Sequence, residues 1–465
     1  MTTSATPLRG LFIGEGGLLV ACADAWRTHG HVIEAVVTGN RSVARWADDG
    51  GITRLPPAGD LAASLSGRAF DYLFSIVNPR VTPTEVLRMC RRAAINYHDS
   101  PLPRYAGFHV TSWAIIAGER SHGVTWHEMT EQVDAGRILA QQTIAIAPDE
   151  TALSLNTKCH DAALASFQRL LDDLAAGRLS PQPQDQTARS YFPRLRRPPA
   201  ASVLAWDRPA EELDALGRAL SFGSESNPLG LPKIVGDAGA GAVLVTAFTI
   251  AAIDERRPAA GVVGRIGDDA LVIGTATRPL AIQAAATLDG RPLTPRALAA
   301  QLGLAEGKTL PLLGAAVAHR LVAVDTLAAR HESFWVDRLA SLHPAAVPTS
   351  VRPATVADDD ASATATSDAA PPAGSARPRQ RLRTALPPAL AALPAGDAVD
   401  RIVAGLAALL ARLGQDGPFD VAYRDAELDR LLADDTGTVS RLFASALPLR
   451  LTVDTAVPFD ELLAA

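Results

Sequence analysis

The sequence predicts an α/β protein: a Rossmann-like, doubly wound parallel sheet, then a small oligonucleotide/oligosaccharide-binding-like β-barrel, then a C-terminal α+β segment beyond a flexible linker. Three observations predict it. From Arg9 onward, short apolar runs (residues 11–13, 32–37, 72–77 and 93–97) alternate with helix-period patterns (18–27 and 83–92), the signature of βαβ units. From Val203 to about Leu313 the pattern becomes one helix, residues 210–220, and short strands at 242–253, 261–265, 270–275 and 280–286 punctuated by Gly and Pro. Residues 347–377 are Ala, Thr, Ser, Asp and Pro with little to bury, a composition that cannot offset its ordering entropy.

These signals divide the chain into domains at 1–190 and 200–320, a linker at 345–380 and a last segment at 381–465. A helix over residues 154–175 closes the first domain and is followed by Gly177 and a polar, proline-containing stretch. Within the last segment, residues 402–413 read as an apolar helix and 447–453 as a strand. The run Gly14-Glu15-Gly16-Gly17 lacks the spacing of a dinucleotide fingerprint and reads as a tight turn into a helix.

With 465 residues, 48 % hydrophobic and 20 % charged, the chain has the make-up of a folded soluble protein of two to four domains. A formal net charge of −6 gives no sign of a phosphate-neutralising surface, so nucleic acid is not an expected partner. Cys22, Cys90 and Cys159 are isolated, which suits reduced, buried thiols and neither a disulfide framework nor a zinc site; no metal is expected. Residues 1–9 lack a basic leader followed by an apolar run, and no stretch of about 18 uncharged apolar residues occurs. The expectation is a cytoplasmic protein without a membrane segment.

The informative run is Ile95-Asn96-Tyr97-His98-Asp99-Ser100-Pro101-Leu102-Pro103. On a strand, Asn96 and His98 share a face, and at the carboxyl end of such a sheet they stand where ligands bind. The prolines that follow cannot continue a helix and imply a stiff loop. Asp134 lies 36 residues after His98 in a turn between two strand-like runs, with Gly136 allowing the backbone to fold tightly, so its carboxylate can reach the imidazole. Singly, a strand histidine or a turn aspartate is ordinarily structural; the ordered set is what points to catalysis. His109, His122 and His127 lack metal-ligand spacing.

Together these motifs resemble the folate-dependent formyltransferase family, which includes methionyl-transfer-RNA, phosphoribosylglycinamide and sugar-nucleotide formyltransferases. The pattern is Asn-x-His, Ser-x-Leu-Pro-x-x-x-Gly, Val-Thr and Asp-x-Gly, met here by Asn96, His98, Ser100, Leu102, Pro103, Gly107, Val124, Thr125, Asp134 and Gly136. The match spans about residues 9–190, and Ala205-Trp206 with Pro209-Ala210 resemble the start of the family's C-terminal barrel. The resemblance implies 10-formyltetrahydrofolate as cosubstrate, held by Ser100, Leu102, Pro103, Asn78 and Val81. Asn96, His98 and Asp134 are implied as catalytic.

The chemistry suits these groups. As an amine attacks the formyl carbon, charge grows on the formyl oxygen, which Asn96 and His98 can stabilise as donors. Asp134 can hold His98 and help the nitrogen lose its proton.

For the acceptor, residues 201–320 hold eleven basic and twelve acidic residues, which disfavours transfer RNA. The runs at 332–339, 447–451 and 458–463 resemble pieces of nonribosomal peptide synthetases, although no adjacent His-His pair occurs, so no condensation activity is expected. A free or carrier-bound amino acid is therefore the expected acceptor, with a peptidyl carrier protein or adenylation domain as partner. A transfer-RNA or sugar-nucleotide enzyme, and a non-catalytic scaffold, remain as alternatives.

Overall fold

The computed structural model describes residues 6–223, 227–237, 239–252, 257–345, 388–413, 417–424 and 426–464. The expected linker at 345–380 lies, apart from its first residue, outside the described residues. The chain forms two compact units, residues 1–330 with 432–443, and residues 331–431 with 444–465. That division differs from the one drawn on composition, because the first two expected domains fall in one unit.

The first unit opens with strands β1 (Arg9–Gly14), β2 (Val32–Val37), β3 (Arg54–Leu55), β4 (Tyr72–Ile76) and β5 (Ala93–His98), a two-residue strand β6 (Ala106–Gly107), then β7 (Ser121–Glu128) and β8 (Ile138–Ala145). The main sheet has the order β3-β2-β1-β4-β5-β7-β8. Strands β1 to β5 are parallel, while β7 pairs antiparallel with β5 and β8 antiparallel with β7. The sheet is therefore mixed, a correction to the wholly parallel sheet expected. The nine residues between β7 and β8 are too few for a crossover and impose a hairpin.

Helices α1 (Gly16–Thr28), α2 (Arg41–Asp49), α3 (Leu61–Ser64), α4 (Thr84–Arg88), α5 (Val110–Ile116) and α6 (Ala152–Ala175) accompany the sheet. Both faces are covered, which is why its parallel strands read as continuous apolar runs. On one face Phe12, Phe74, Tyr97 and Trp126 meet Leu19, Cys22 and Trp26 of α1 and Cys159, Phe167 and Leu170 of α6. On the other, Leu11, Ile13, Val37 and Leu73 pack with Leu61, Leu65, Phe70 and Val86. Burial pushes the Cys22 and Cys159 thiols up, so both behave as small hydrophobes. The turn from β1 into α1 needs glycine: Gly14 has φ +142°, and a Cβ there would stand 1.8 Å from the Ile76 carbonyl oxygen.

After β9 (Tyr191–Phe192), which pairs with β6, come α7 (Ala210–Ala219), strands β10 (Lys233–Val235), β11 (Ala242–Ile250), β12 (Val263–Ile266), β13 (Leu271–Ile273), β14 (Leu280–Thr287) and β15 (Pro292–Leu293), and helices α8 (Pro295–Gln301) and α9 (Ala315–Arg330). These strands make an antiparallel sheet of order β10-β11-β14-β13-β12, with β15 on β14. Among the described residues no ladder joins β10 to β12. Val110, Trp113 and Ala114 of α5 share one core with Leu213, Leu216 and Leu220 near α7 and with Val243, Leu271 and Ile282 of this sheet.

The second unit holds helices at Glu332–Ala340 and Ala395–Arg412 and an antiparallel pair, β16 (Phe419–Tyr423) with β17 (Leu447–Leu451). Arg450 Nε donates to the buried Asp420 carboxylate at 3.0 Å, tying that pair together. Among the described residues, no helix is long and apolar enough to cross a membrane.

Helix α6, 24 residues long, starts on a capping box. Thr151 Oγ1 accepts from the Ser154 N–H at 3.1 Å and Ser154 Oγ accepts from the Thr151 N–H at 3.0 Å. Replacing Thr151 with Ala leaves a donor of the first turn unpaired and should lower stability by about 1 kcal/mol in urea unfolding.

Candidate active site

The alternation of β5 divides its side chains between the two faces of the sheet. Ile95 and Tyr97 face α1 and α6, so Asn96 and His98 face the opposite side. The antiparallel register places His127 opposite Asn96 and Thr125 opposite His98, and directly opposed residues share a face. The group therefore lies on a sheet face along the last residues of β5, rather than only at its tip.

Asp134 reaches this face from the β7–β8 hairpin. Its backbone is left-handed, φ 52°, a conformation that aspartate tolerates better than most residues. Two residues on, a Cβ at Gly136 would fall 1.8 Å from the Glu128 carbonyl oxygen, so only glycine allows the hairpin to close this tightly. Gln184 Nε2 donates to the Asp134 and Gly136 carbonyl oxygens at 3.0 and 2.7 Å, and Arg189 Nη1 to the Asp134 carbonyl oxygen at 3.1 Å.

The carboxylate sits between two imidazoles. Asp134 Oδ2 is 3.7 Å from His98 Nδ1, and Oδ1 is 3.5 Å from His127 Nε2. Oδ2 also accepts the Gly107 N–H at 2.9 Å. His98 Nε2–H donates to the Tyr105 carbonyl oxygen at 2.8 Å, which leaves Nδ1 toward the carboxylate. His127 Nδ1–H donates to the Glu128 carbonyl oxygen at 2.8 Å, and its Nε2 lies 3.2 Å from the Asn96 amide nitrogen as well as facing Asp134. His98, His127 and Asp134 are 6 %, 2 % and 8 % exposed, and Asn96 is only partly buried.

Burial alone would raise the Asp134 pKa, but the His98 and His127 imidazoles and the Gly107 N–H outweigh it, holding the carboxyl well below the usual carboxylate range. His122 and His109 are also lowered, but there burial is the chief cause.

The loop after β5 is fastened from within. Thr125 Oγ1 donates to the Ser100 carbonyl oxygen at 2.7 Å and accepts the Leu102 N–H at 3.2 Å, while Gln141 Nε2 donates to the Leu102 carbonyl oxygen at 2.9 Å. The Leu102–Pro103 bond is cis. Ser100 and Leu102 are buried, Ser100 Oγ donating to the Arg104 carbonyl oxygen at 3.0 Å, and Pro103 is half-buried.

Asn78 and Val81 stand one strand away. Asn78 Nδ2 donates weakly at 3.4 Å to Ser75 Oγ, whose residue pairs with Asn96 in the sheet. Val81 is 77 % exposed. Both line a cleft of about 240 Å³ with Gly14, Thr38 and Leu61, beyond the carboxyl ends of β1, β2 and β4; Asn96, His98 and Asp134 are not in its lining. Among the described residues, no cluster of three or more His, Cys, Asp or Glu could hold a metal ion.

His127, Tyr105 and Gly107 are members of this constellation that the sequence motifs did not place beside Asp134. The one available signal for His127 is its position in a strand whose antiparallel register could be guessed from the hairpin.

Residues 60–171 match the model of the formyl transferase family, a segment that contains Asn96, His98, His127 and Asp134. By this match the first unit carries a formyl transferase domain, and the protein is an enzyme of the formyl-transferring class. Among solved structures, the chain is similar to WlaRD, a sugar 3N-formyl transferase determined with dTDP and 5-N-formyl-THF, at 16 % identity and a TM-score of 0.49, covering 61 % of this chain and 99 % of that one. It is similar to an N-formyltransferase from Helicobacter canadensis, in complex with folinic acid and dTDP-3-aminofucose, at 15 % identity and 0.47, covering 59 % and 99 %. HypX from Aquifex aeolicus in complex with tetrahydrofolic acid is similar at 20 % identity and 0.45, covering 65 % of this chain and 49 % of that one.

Two outcomes test the geometry. Gly136→Ala should cost about 2–3 kcal/mol in urea unfolding, since the added methyl has only backbone to displace. For Asp134→Asn the sign follows from a depressed native pKa: the ionised carboxylate contributes fully above the unfolded value, near 3.8, and less as pH falls below it. The stability difference between wild type and variant should stay constant from pH 8 to about 5 and change only below about 4.

Proposed function

We propose that this enzyme transfers the formyl group of 10-formyltetrahydrofolate to the primary or hydroxylated amine of an amino acid, free or carrier-bound. The observation that carries the transfer chemistry is the convergence of Asn96, His98 and Asp134 within the formyl transferase segment. In this reading an N–H of the Asn96 amide donates to the formyl oxygen. Protonated His98 offers Nδ1–H as the other donor, its charge balanced by the ionised Asp134. As the tetrahedral centre collapses, its bond to the folate N10 breaks; the amine proton is taken by the Asp134 carboxylate, directly or through water, and passed on to N10, so that tetrahydrofolate leaves with an N–H and Asp134 is ionised again. The folate lies along the loop of Ser100, Leu102 and Pro103, with Asn78 and Val81 as further contacts.

The amino-acid acceptor is supported by the synthetase-like runs in the second unit and by the near-neutral charge of residues 201–320. The barrel-like part of the first unit is, in the same reading, the family's C-terminal domain.

Single-turnover transfer from 10-formyltetrahydrofolate should fall about 100- to 1,000-fold in Asn96→Ala and in His98→Ala, with folate binding retained. An undiminished rate in His98→Ala would remove that residue from the mechanism. A panel of amino acids, aminoacylated carrier proteins, amino sugars and charged initiator transfer RNA ranks the acceptors, and efficient formylation of the transfer RNA alone would overturn the amino-acid reading.

A further inference from the structure

Between β9 and α7 the backbone makes a left-handed turn out of residues that resist one. Ala200, Ala201 and Ser202 have φ values of 50°, 52° and 69°, three consecutive left-handed positions with no glycine or asparagine among them. In that conformation Cβ crowds the neighbouring carbonyl groups, so each position stores strain. Two hydrogen bonds hold the turn, from the Ala201 N–H to the Pro198 carbonyl oxygen and from the Val203 N–H to the Ala200 carbonyl oxygen, both at 3.1 Å.

A purely structural turn leaves two groups at its centre unexplained. Ser202 is 0 % exposed, and among the described residues its Oγ has no hydrogen-bond partner. A buried hydroxyl without a partner is costly, and alanine at this position would avoid that cost. Lys233 lies alongside, bridged through its backbone to Val203. Its Nζ donates to the Ala201 carbonyl oxygen at 2.8 Å and to the Leu231 carbonyl oxygen at 3.2 Å. The amine therefore meets the carbonyl group of the peptide bond that joins Ala201 to Ser202. Burial holds the Lys233 pKa below the usual lysine range.

The sign of φ decides what the Ser202 hydroxyl can reach. At the negative φ of an ordinary helix, the tetrahedral Cα holds Cβ anti to the preceding carbonyl carbon. At φ 69° it holds Cβ gauche to that carbon, so the Ser202 side chain folds back over the Ala201–Ser202 peptide bond. Closure of a five-membered ring between Oγ and the Ala201 carbonyl carbon needs this arrangement.

We propose that this turn is a self-cleavage site, at which Ser202 attacks the peptide bond that precedes it. Oγ adds to the Ala201 carbonyl carbon while Lys233 Nζ donates to the oxygen on which charge develops. The intermediate collapses with loss of the C–N bond. The hydroxyl proton passes to the departing nitrogen, which becomes the free α-amine of Ser202, and Ala201 is left as an ester on Oγ. Water then hydrolyses the ester, leaving a carboxylate on Ala201 and restoring the Ser202 hydroxyl. Breaking the bond releases the strain of the turn. The two pieces, residues 1–201 and 202–465, stay together because Val110 and Trp113 share a core with Leu213 and Leu216. Formyl transfer uses none of these groups, so the cleavage stands or falls apart from the function proposed above.

The test incubates the purified full chain at neutral pH with general protease inhibitors, with and without hydroxylamine, and follows it by denaturing electrophoresis and intact mass. Two fragments should accumulate with time, one ending at Ala201 and one beginning at Ser202. Hydroxylamine should speed their appearance and leave a hydroxamate on Ala201, the mark of an ester. Ser202→Ala should remain whole, with a circular dichroism spectrum like that of wild type, and Ser202→Cys should cleave through the corresponding thioester. Lys233→Met should slow cleavage by roughly tenfold or more. A wild-type chain that stays whole throughout, hydroxylamine included, overturns the proposal. So does cleavage at the same bond in Ser202→Ala.

Discussion

The interaction on which the rest of the site depends is the carboxylate of Asp134 held between His98, His127 and the Gly107 N–H. A buried carboxylate is tolerated only where donors and cations surround it, and here each comes from a different element. His98 belongs to β5, His127 to β7, and Gly107 to the short strand that follows the proline loop. One charged group thus ties two strands and a loop to one geometry, and the same charge orients the two imidazoles.

The surrounding residues fix the β7–β8 hairpin in place. Gly136 lets the turn after β7 pass against Glu128, and Gln184 and Arg189 hold its carbonyl oxygens from the segment that follows α6. On the other side Thr125 and Gln141 fasten the Ser100–Pro103 stretch by backbone contacts. The side chains expected to touch folate at Ser100 and Leu102 are buried, so their direct effect is on the loop's shape.

Much of this was legible in the residues. The apolar runs of β1, β2, β4 and β5 were continuous because both sheet faces are covered, and the spacing of Asn96 and His98 put them on one face. Asp134 announced itself through its turn and Gly136. The antiparallel edge was less visible, because an apolar run carries no sign of direction. His127 was hidden for that reason: its meeting with Asn96 is set by a register between strands more than two dozen residues apart. The Tyr105 carbonyl and the Gly107 N–H are backbone groups, to which residue identity gives little clue. The barrel expected after Val203 is represented by an antiparallel sheet whose path, among the described residues, stays open.

The core shared by α5 and the second sheet bears on how this protein can be divided. Val110, Trp113 and Ala114 are buried partly by residues near α7, and Ser112 donates to the Ala219 carbonyl oxygen at 2.7 Å. The helix that follows the proline loop is therefore finished by residues a hundred positions later. Shuffling the amino-terminal piece alone into another assembly would strip that helix of its apolar cover. The natural unit of exchange is the pair, which must travel together to remain folded.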